Sequence, residues 1–198
     1  MANYNAIRYN HDFLGQGGSL VLLSTFTSDG SDANATFNNT IITDAYSEYL
    51  FIWNSIHPET DNQNWTFNGS IDNGSNYNVV KTTTFFTAEH NEDNSADSVY
   101  YSAGQDLAQG AGYVDLHHDG TGADADQCTS GIMRLYNPSS TTFVKHYDAQ
   151  TNASTAGNSA VYSFSAGYFN TTSAINNVQF KFASGEIQAG TIQVFGVV

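Results

Sequence analysis

The residues best suited to chemistry lie between positions 115 and 126, where aspartates and histidines are mixed with glycines. Asp119, Asp124 and Asp126 occupy a glycine-containing stretch that could bend their carboxylates around Ca²⁺, a cation that prefers oxygen ligands. The spacing differs from that of the EF-hand loop, because no glutamate stands at the twelfth position. His117 and His118 are adjacent, so in an extended segment they point to opposite faces and cannot share one ion. The segment is therefore a candidate calcium site at the three aspartates, and the alternative is an exposed loop of turn-forming residues.

Other catalytic chemistries find less support in the residue types and their spacing. A glycosidase needs two carboxylates across a cleft, and the sequence does not indicate which of its glutamates would pair. The single cysteine, Cys128, lacks the surroundings of a catalytic thiol, and there is no G-x-S-x-G motif or glycine-rich phosphate loop. We predict that the protein is not an enzyme and that it uses no cofactor other than a possible Ca²⁺. The glutamates are Glu48, Glu59, Glu89, Glu92 and Glu186.

Aromatic residues are the second candidate for a functional surface, since they make up 14% of the chain. Trp53 and Trp65 could stack on sugar rings, as aromatic residues of lectin-type sandwiches do. Tyr49 and Phe51 alternate with Trp53 at the spacing of a strand, and large aromatic residues at that spacing also form cores and subunit contacts. These four residues are therefore candidates for a subunit interface or for a glycan platform.

The charge composition excludes two classes of partner. The 198 residues include 5 Lys and Arg against 19 Asp and Glu, which gives a formal net charge of −14. Nucleic-acid binding depends on Lys and Arg that neutralise phosphates, so we predict no nucleic-acid partner. Anionic membrane surfaces are disfavoured for the same reason. No segment has the composition of a secretory signal or the length of a membrane span, so we predict no membrane association.

The elements that position these residues are predicted to be β-strands. Val178, Phe180 and Phe182 alternate with polar residues, as in a strand with one face on a core. Residues 46–56 are apolar on both faces, which predicts a central strand covered on each side, by a second sheet or by a neighbouring subunit. The same period of two runs through Trp65, Phe67 and Ile71, through Phe143, Lys145 and Tyr147, and through Ile192, Val194 and Val198.

Clusters of Asn, Asp, Gly and Ser separate these segments, among them residues 61–64, 72–75 and 137–140. Such clusters are typical of chain reversals. Many short strands joined by reversals predict an all-β fold, a single antiparallel β-sandwich of jelly-roll-like type. Residues 1–18 are predicted to form an N-terminal arm and residues 19–198 the sandwich domain.

Three stretches of the chain carry a resemblance to a known family. They are residues 43–61 (TDAYSEYLFIWNSIHPETD), residues 135–146 (LYNPSSTTFVKH), and a C-terminal stretch from 167 to 197 that begins GYFNTTSAI and ends GTIQVFGV. In this order they resemble small virion structural proteins of tailed bacteriophages, especially marine ones. The resemblance covers about residues 43–198. It implies a β-sandwich at the virion surface, assembled in the host cytoplasm, and it supplies no catalytic residues.

We therefore expect a non-enzymatic virion protein that decorates or cements the phage head. Its expected partners are the major capsid protein or tail proteins, and further copies of itself, with a trimer favoured. Apolar strand faces would be buried between subunits, and the arm would act as a tether. The alternative is a tail-associated adhesin that recognises host surface glycans, and a polysaccharide-degrading enzyme is the third hypothesis.

Overall fold

A computed structural model describes residues 20–198, which form two antiparallel sheets packed as a sandwich. The predicted all-β class and antiparallel sandwich are confirmed. The predicted arm, residues 1–18, lies outside the described residues. Residues 20–198 contain no helix that is long and apolar enough to cross a membrane. The strands are β1 (Leu20–Thr27), β2 (Ala35–Phe37), β3 (Glu48–Pro58), β4 (Trp65–Ser70), β5 (Lys81–Asn91), β6 (Asp97–Tyr101), β7 (Val114–Asp115), β8 (Thr129–Tyr136), β9 (Lys145–Ser154), β10 (Ser159–Phe169), β11 (Asn177–Phe182) and β12 (Ile187–Val197).

The larger sheet has eight strands in the order β1-β12-β3-β8-β9-β10-β5-β6, and the smaller sheet has four in the order β2-β11-β4-β7. Among the described strands, only β5–β6, β8–β9 and β9–β10 pair with a strand adjacent in sequence. The chain alternates between the sheets along β1 to β5, because β2 and β4 belong to the smaller sheet. Residues far apart in sequence therefore become neighbours in both sheets.

The core lies between the inner faces of the two sheets, with Phe180 of β11 at its centre. The predicted alternation along β11 is confirmed, since Val178, Phe180 and Phe182 are buried while Gln179 and Lys181 are partly exposed. Contacts between aromatic rings hold the two sheets in position. The ring centroid of Phe180 lies within 6.3 Å of the rings of Phe37, Phe51, Trp53, Trp65 and Phe67.

The predicted alternation ends where the strands end. Phe143, Ile71 and Val198 lie just outside β9, β4 and β12, and all three side chains are exposed. Beyond the last hydrogen bond of a ladder, the pleat no longer fixes the direction of a side chain. β4 itself is buried on both faces. Loops cover its polar face, where the side-chain amide of Asn68 donates to the carbonyl oxygen of Tyr77 at 2.6 Å.

The predicted reversals are formed by asparagines in the left-handed backbone region. Asn62, Asn73 and Asn137 have φ angles of 58°, 59° and 47°. Asparagine tolerates this region better than other residues with a Cβ atom, because its short polar side chain can bond to the nearby backbone. These three residues lie in the reversals that follow β3, β4 and β8.

Candidate functional site

The structure places the four predicted aromatic candidates in the core. Tyr49, Phe51, Trp53 and Trp65 are all fully buried. The first three lie on the inner face of β3, which the smaller sheet of the same chain covers, and Trp65 lies opposite on β4. The prediction that these residues form a subunit interface or a glycan platform is therefore wrong. The chain's own second sheet covers the inner face of β3, whereas no second sheet of residues 20–198 covers its outer face, where Ile52 is partly exposed.

The other face of the larger sheet carries a different set of aromatic and aliphatic residues. We call the face turned away from the smaller sheet the outer face. Phe86 and Tyr101 on it are 44% and 54% exposed. The registers of β6, β5, β10, β9, β8 and β3 place six side chains side by side across it. This outer row consists of Tyr101, Phe86, Phe164, Gln150, Ile132 and Ile52.

Aromatic packing within the outer face fixes several of its side chains. The rings of Phe86 and Phe164 stack with centroids 4.6 Å apart, and Tyr162 meets the edge of Phe164 at 4.9 Å. The hydroxyl of Tyr162 donates to Oε1 of Gln150 at 2.9 Å. The sequence signal for this surface is the adjacency of Phe85 and Phe86, because neighbouring residues of a strand point to opposite faces. One of the two must therefore face outwards.

Shallow depressions lie along the outer face. One is lined by residues of β5, β9 and β10, and it includes the rings of His146 and Tyr168. A second combines apolar and amide groups between β3 and β10. It is lined in part by Ile52, Ile132, Gln150, Asn152 and Tyr162. Amide groups beside aromatic rings can bind either a protein partner or a sugar, since both present apolar C–H groups next to hydrogen-bonding groups.

The structure does not assemble the predicted set of three aspartates. Asp119, Asp124 and Asp126 are all exposed, but they do not form a group of potential ligands within 4.8 Å of one another. The backbone N–H of Gln127 donates to the carbonyl oxygen of Asp124 at 2.8 Å, which closes a turn after Asp119. Asp119 instead lies beside His118 and Glu89, and their ligand atoms lie within 4.8 Å of one another. No local pattern points to Glu89, which lies 30 residues earlier on β5.

The two adjacent histidines have different environments. His117 is fully buried, and its Nε2 accepts the backbone N–H of Trp65 at 3.0 Å. Its Nδ1 faces the carbonyl oxygens of His118 and Asp119 at 3.3 and 3.2 Å. Burial lowers the pKa of the His117 imidazole to about 4, so the ring is neutral at pH 7. His117 is thus a hydrogen-bonding residue of the core, and only His118 reaches the surface.

The remaining candidates for catalysis are dispersed. The carboxylate of Glu48 lies 3.5 Å from Nε of Arg134. Glu59 and Glu186 meet through a backbone hydrogen bond of 2.9 Å at the surface. Cys128 is half-buried, and its backbone N–H donates to Oγ of Ser154 at 2.9 Å.

No protein-family model, curated protein or solved structure matches this chain.

Proposed function

We propose that the protein is a non-enzymatic structural component of a bacteriophage virion that decorates or cements the head. The observation that carries this proposal is the outer row, a line of five aromatic or aliphatic side chains and one glutamine, exposed or partly exposed on the face that the chain's second sheet leaves open. The resemblance of residues 43–61, 135–146 and 167–197 to small virion proteins supports the assignment to a phage.

The size of the outer face suits a protein partner. Eight strands at a spacing of about 4.8 Å make the sheet about 34 Å wide. Four of its strands have 11 residues, which corresponds to about 35 Å at about 3.3 Å per residue. The resulting face of about 1,200 Å² exceeds the roughly 800 Å² that each partner buries in a stable complex.

The chemistry of the face also suits a protein partner. Aromatic side chains of β10, β5 and β6 form an apolar patch on one side of β9, whose outward-facing side chains, such as Asp148 and Asn152, are polar. Apolar patches bordered by polar side chains are typical of protein interfaces. The net charge of −14 repels the packaged genome, so a site on the outside of the shell is favoured over contact with DNA. We propose the major capsid protein as the partner that covers the outer row.

The location is tested by quantitative mass spectrometry of purified particles of the phage that encodes this chain. A decoration protein should be present at on the order of hundreds of copies per particle, because it follows the symmetry of the shell. A copy number that matches the low symmetry of a tail would overturn the head location. Complete absence from the particles would overturn the virion role.

The surface is tested with a pair of matched variants. Replacing Phe86 and Tyr101 by serine removes two exposed aromatic residues of the outer row, whereas Phe143→Ser removes an even more exposed one from the loop before β9. Binding of purified protein to particles that lack it is measured by co-sedimentation. The double variant should bind about thirtyfold more weakly, as expected for loss of aromatic anchors at an interface, and Phe143→Ser should bind normally. If the double variant and Phe143→Ser lose binding affinity equally, the outer row is not the surface that binds the particle.

An adhesin for host glycans is the second candidate, and the depression beside Tyr162 favours it. There an aromatic ring adjoins the amide groups of Gln150 and Asn152, a combination that can hold a sugar. If this function applies, host lipopolysaccharide should bind to the protein, and Tyr162→Ala should abolish the binding while Phe143→Ser preserves it. If the unaltered protein does not bind host lipopolysaccharide, the adhesin function is excluded.

Self-association, with a trimer favoured, is part of the same proposal. Light scattering of the purified full chain gives the molar mass of the protein in solution directly. A mass of three chains agrees with the proposal, and a monomer at micromolar concentration contradicts it.

A further inference from the structure

Three potential metal ligands meet at one end of the sandwich. Glu89 belongs to β5, whereas His118 and Asp119 belong to the loop that follows β7 of the smaller sheet. Nδ1 of His118 lies 3.3 Å from Oδ1 of Asp119, and a carboxylate oxygen of Glu89 completes a group in which all three atoms lie within 4.8 Å of one another. We propose that these residues bind one divalent transition-metal ion, with Zn²⁺ preferred. This inference does not depend on the proposed function.

The position of the loop that carries two of the ligands is set by its contacts with the larger sheet. The backbone N–H of His118 donates to Oγ of Ser163 on β10 at 3.2 Å. His117, one residue earlier, is anchored in the core by its bond to the backbone of Trp65. Asp119 follows in the left-handed region, with a φ of 50°. The ligands are therefore held at fixed places by bonds that do not involve a metal.

Tyr100 orients the imidazole and one of the carboxylates. It lies on β6, beside β5, and its hydroxyl donates to Oε2 of Glu89 at 3.0 Å. The same hydroxyl lies 3.0 Å from Nδ1 of His118. Since the Tyr100 proton is directed to Glu89, His118 donates from Nδ1 in this arrangement. Metal binding at Nδ1 requires the tautomer in which this proton has moved to Nε2, which frees the Nδ1 lone pair for the metal ion. Tyr100 would remain hydrogen-bonded to the Glu89 carboxylate, as residues behind metal ligands commonly do.

The local charge favours a cation. Two carboxylates share this site, and the cationic side chains of residues 20–198 are engaged elsewhere. Each of them contacts a different group: Lys81 contacts Asn68, Arg134 contacts Glu48, Lys145 contacts Thr171 and Lys181 contacts the ring of Tyr113. A divalent ion would offset the repulsion between the Glu89 and Asp119 carboxylates.

The donor set selects the kind of metal. Ca²⁺ takes six to eight oxygen ligands, and an imidazole nitrogen is a poor ligand for it. Zn²⁺ accepts nitrogen and carboxylate oxygen at bond lengths of about 2.0–2.1 Å, which puts tetrahedral ligand atoms about 3.3 Å apart. The distance of 3.3 Å between His118 and Asp119 already has this value. Rotation of the Glu89 side chain brings in the third ligand, and water fills the fourth position.

The test uses the metal-free full chain and isothermal titration with Zn²⁺ alone and with Ca²⁺ alone. We expect one Zn²⁺ per chain, and weaker or undetectable binding of Ca²⁺. Glu89→Gln, which can still accept the hydrogen bond of Tyr100, should weaken Zn²⁺ binding at least about tenfold, because loss even of residues behind the ligands costs about 10- to 100-fold. Asp119→Asn, which preserves a residue type that tolerates the left-handed backbone, should have the same effect.

Two control variants share the charge and residue types of the proposed ligands. The double variant Asp124→Asn, Asp126→Asn removes acidic groups from the same loop, and His90→Ala removes an exposed imidazole from the same strand as Glu89. Both should bind Zn²⁺ with the affinity of the unaltered protein. Absence of Zn²⁺ binding, equal weakening by the controls, or Ca²⁺ binding as tight as that of Zn²⁺ would overturn the proposal. A cooperative unfolding transition of each metal-free variant shows separately that the variant is folded.

Discussion

Lys81 is a buried cation, and its environment yields a quantitative prediction for stability. Its side chain is fully buried, and it forms no ion pair within residues 20–198. The Nζ atom donates to Oδ1 of Asn68 at 2.6 Å and to the carbonyl oxygen of Val79 at 2.7 Å, and it lies 5.3 Å from the centroid of the Phe169 ring. Burial lowers the pKa of this ammonium from 10.5 to about 7.

The direction and size of the pH dependence of the free energy of unfolding follow from this shift in the Lys81 pKa. Between about pH 7 and 10.5 the unfolded chain holds the Lys81 proton and the native protein does not, so the free energy of unfolding rises with pH. At 1.36 kcal/mol per pKa unit, the increase between pH 6 and pH 9 is about 2.7 kcal/mol. Lys81→Met has a similar volume and no proton to lose. Asn68 Oδ1 also accepts the backbone N–H of Gly69 at 2.8 Å, so this oxygen should keep a hydrogen-bond donor in that variant.

The assay is urea denaturation of both proteins from pH 6 to pH 9 at constant ionic strength. The free energy of unfolding of the unaltered protein, minus that of Lys81→Met, should grow by about 2.7 kcal/mol over this range. Other titrating groups are common to both proteins and cancel. Lys181→Met is the matched control, because it also removes a lysine but leaves Lys81 in place, and it should follow the unaltered protein. A difference between the unaltered protein and Lys81→Met that does not change with pH would refute the reasoning.

Three further predictions concern the core and its hydrogen bonds. Phe180→Ala removes the ring at the centre of the aromatic cluster and should lower the free energy of unfolding by about 3–5 kcal/mol in urea denaturation. His117 has a pKa of about 4 in the native state against 6.5 for an unperturbed histidine, so its contribution to stability is complete above pH 6.5 and is lost as the pH falls towards 4. NMR of its imidazole protons should accordingly show no titration between pH 5.5 and 8, and a midpoint near pH 6.5 would contradict the buried, neutral ring. Gly131→Ala would place a Cβ atom 2.3 Å from the carbonyl oxygen of Gln150, so it should destabilise the protein by about 3 kcal/mol in the same denaturation assay, whereas Gly112→Ala, with open space around it, should not.

The fold class could be predicted because side-chain alternation is a local property. β11 has the predicted inner residues Val178, Phe180 and Phe182, and β3 is a central strand as its apolar faces indicated. Phe143 shows the limit of the pattern. It continues the alternation of β9 in sequence, but the strand begins only at Lys145, and nothing in the pattern marks that boundary.

The candidate site was less predictable, because it depends on which distant segments meet. An apolar row such as Tyr49, Phe51 and Trp53 must be covered, but periodicity cannot distinguish a second sheet of the same chain from another subunit. Residue type alone makes Asp119 a candidate ligand, yet its neighbour Glu89 comes from a strand of the other sheet. Such a meeting is set by the order of strands in the sheets, which local sequence does not encode.

The pairing of β1 with β12 affects how the chain folds during its synthesis on the ribosome. The first strand of the described chain has its partner in the last one, with Leu20 opposite Val197. Until β12 has been synthesised, β1 has no edge on which to dock, and Leu23 and Phe26, which pack against the core in the folded protein, stay accessible to neighbouring nascent chains. Completion of the large sheet therefore follows the synthesis of β12, and we expect it at the slow rates of folds rich in distant pairings.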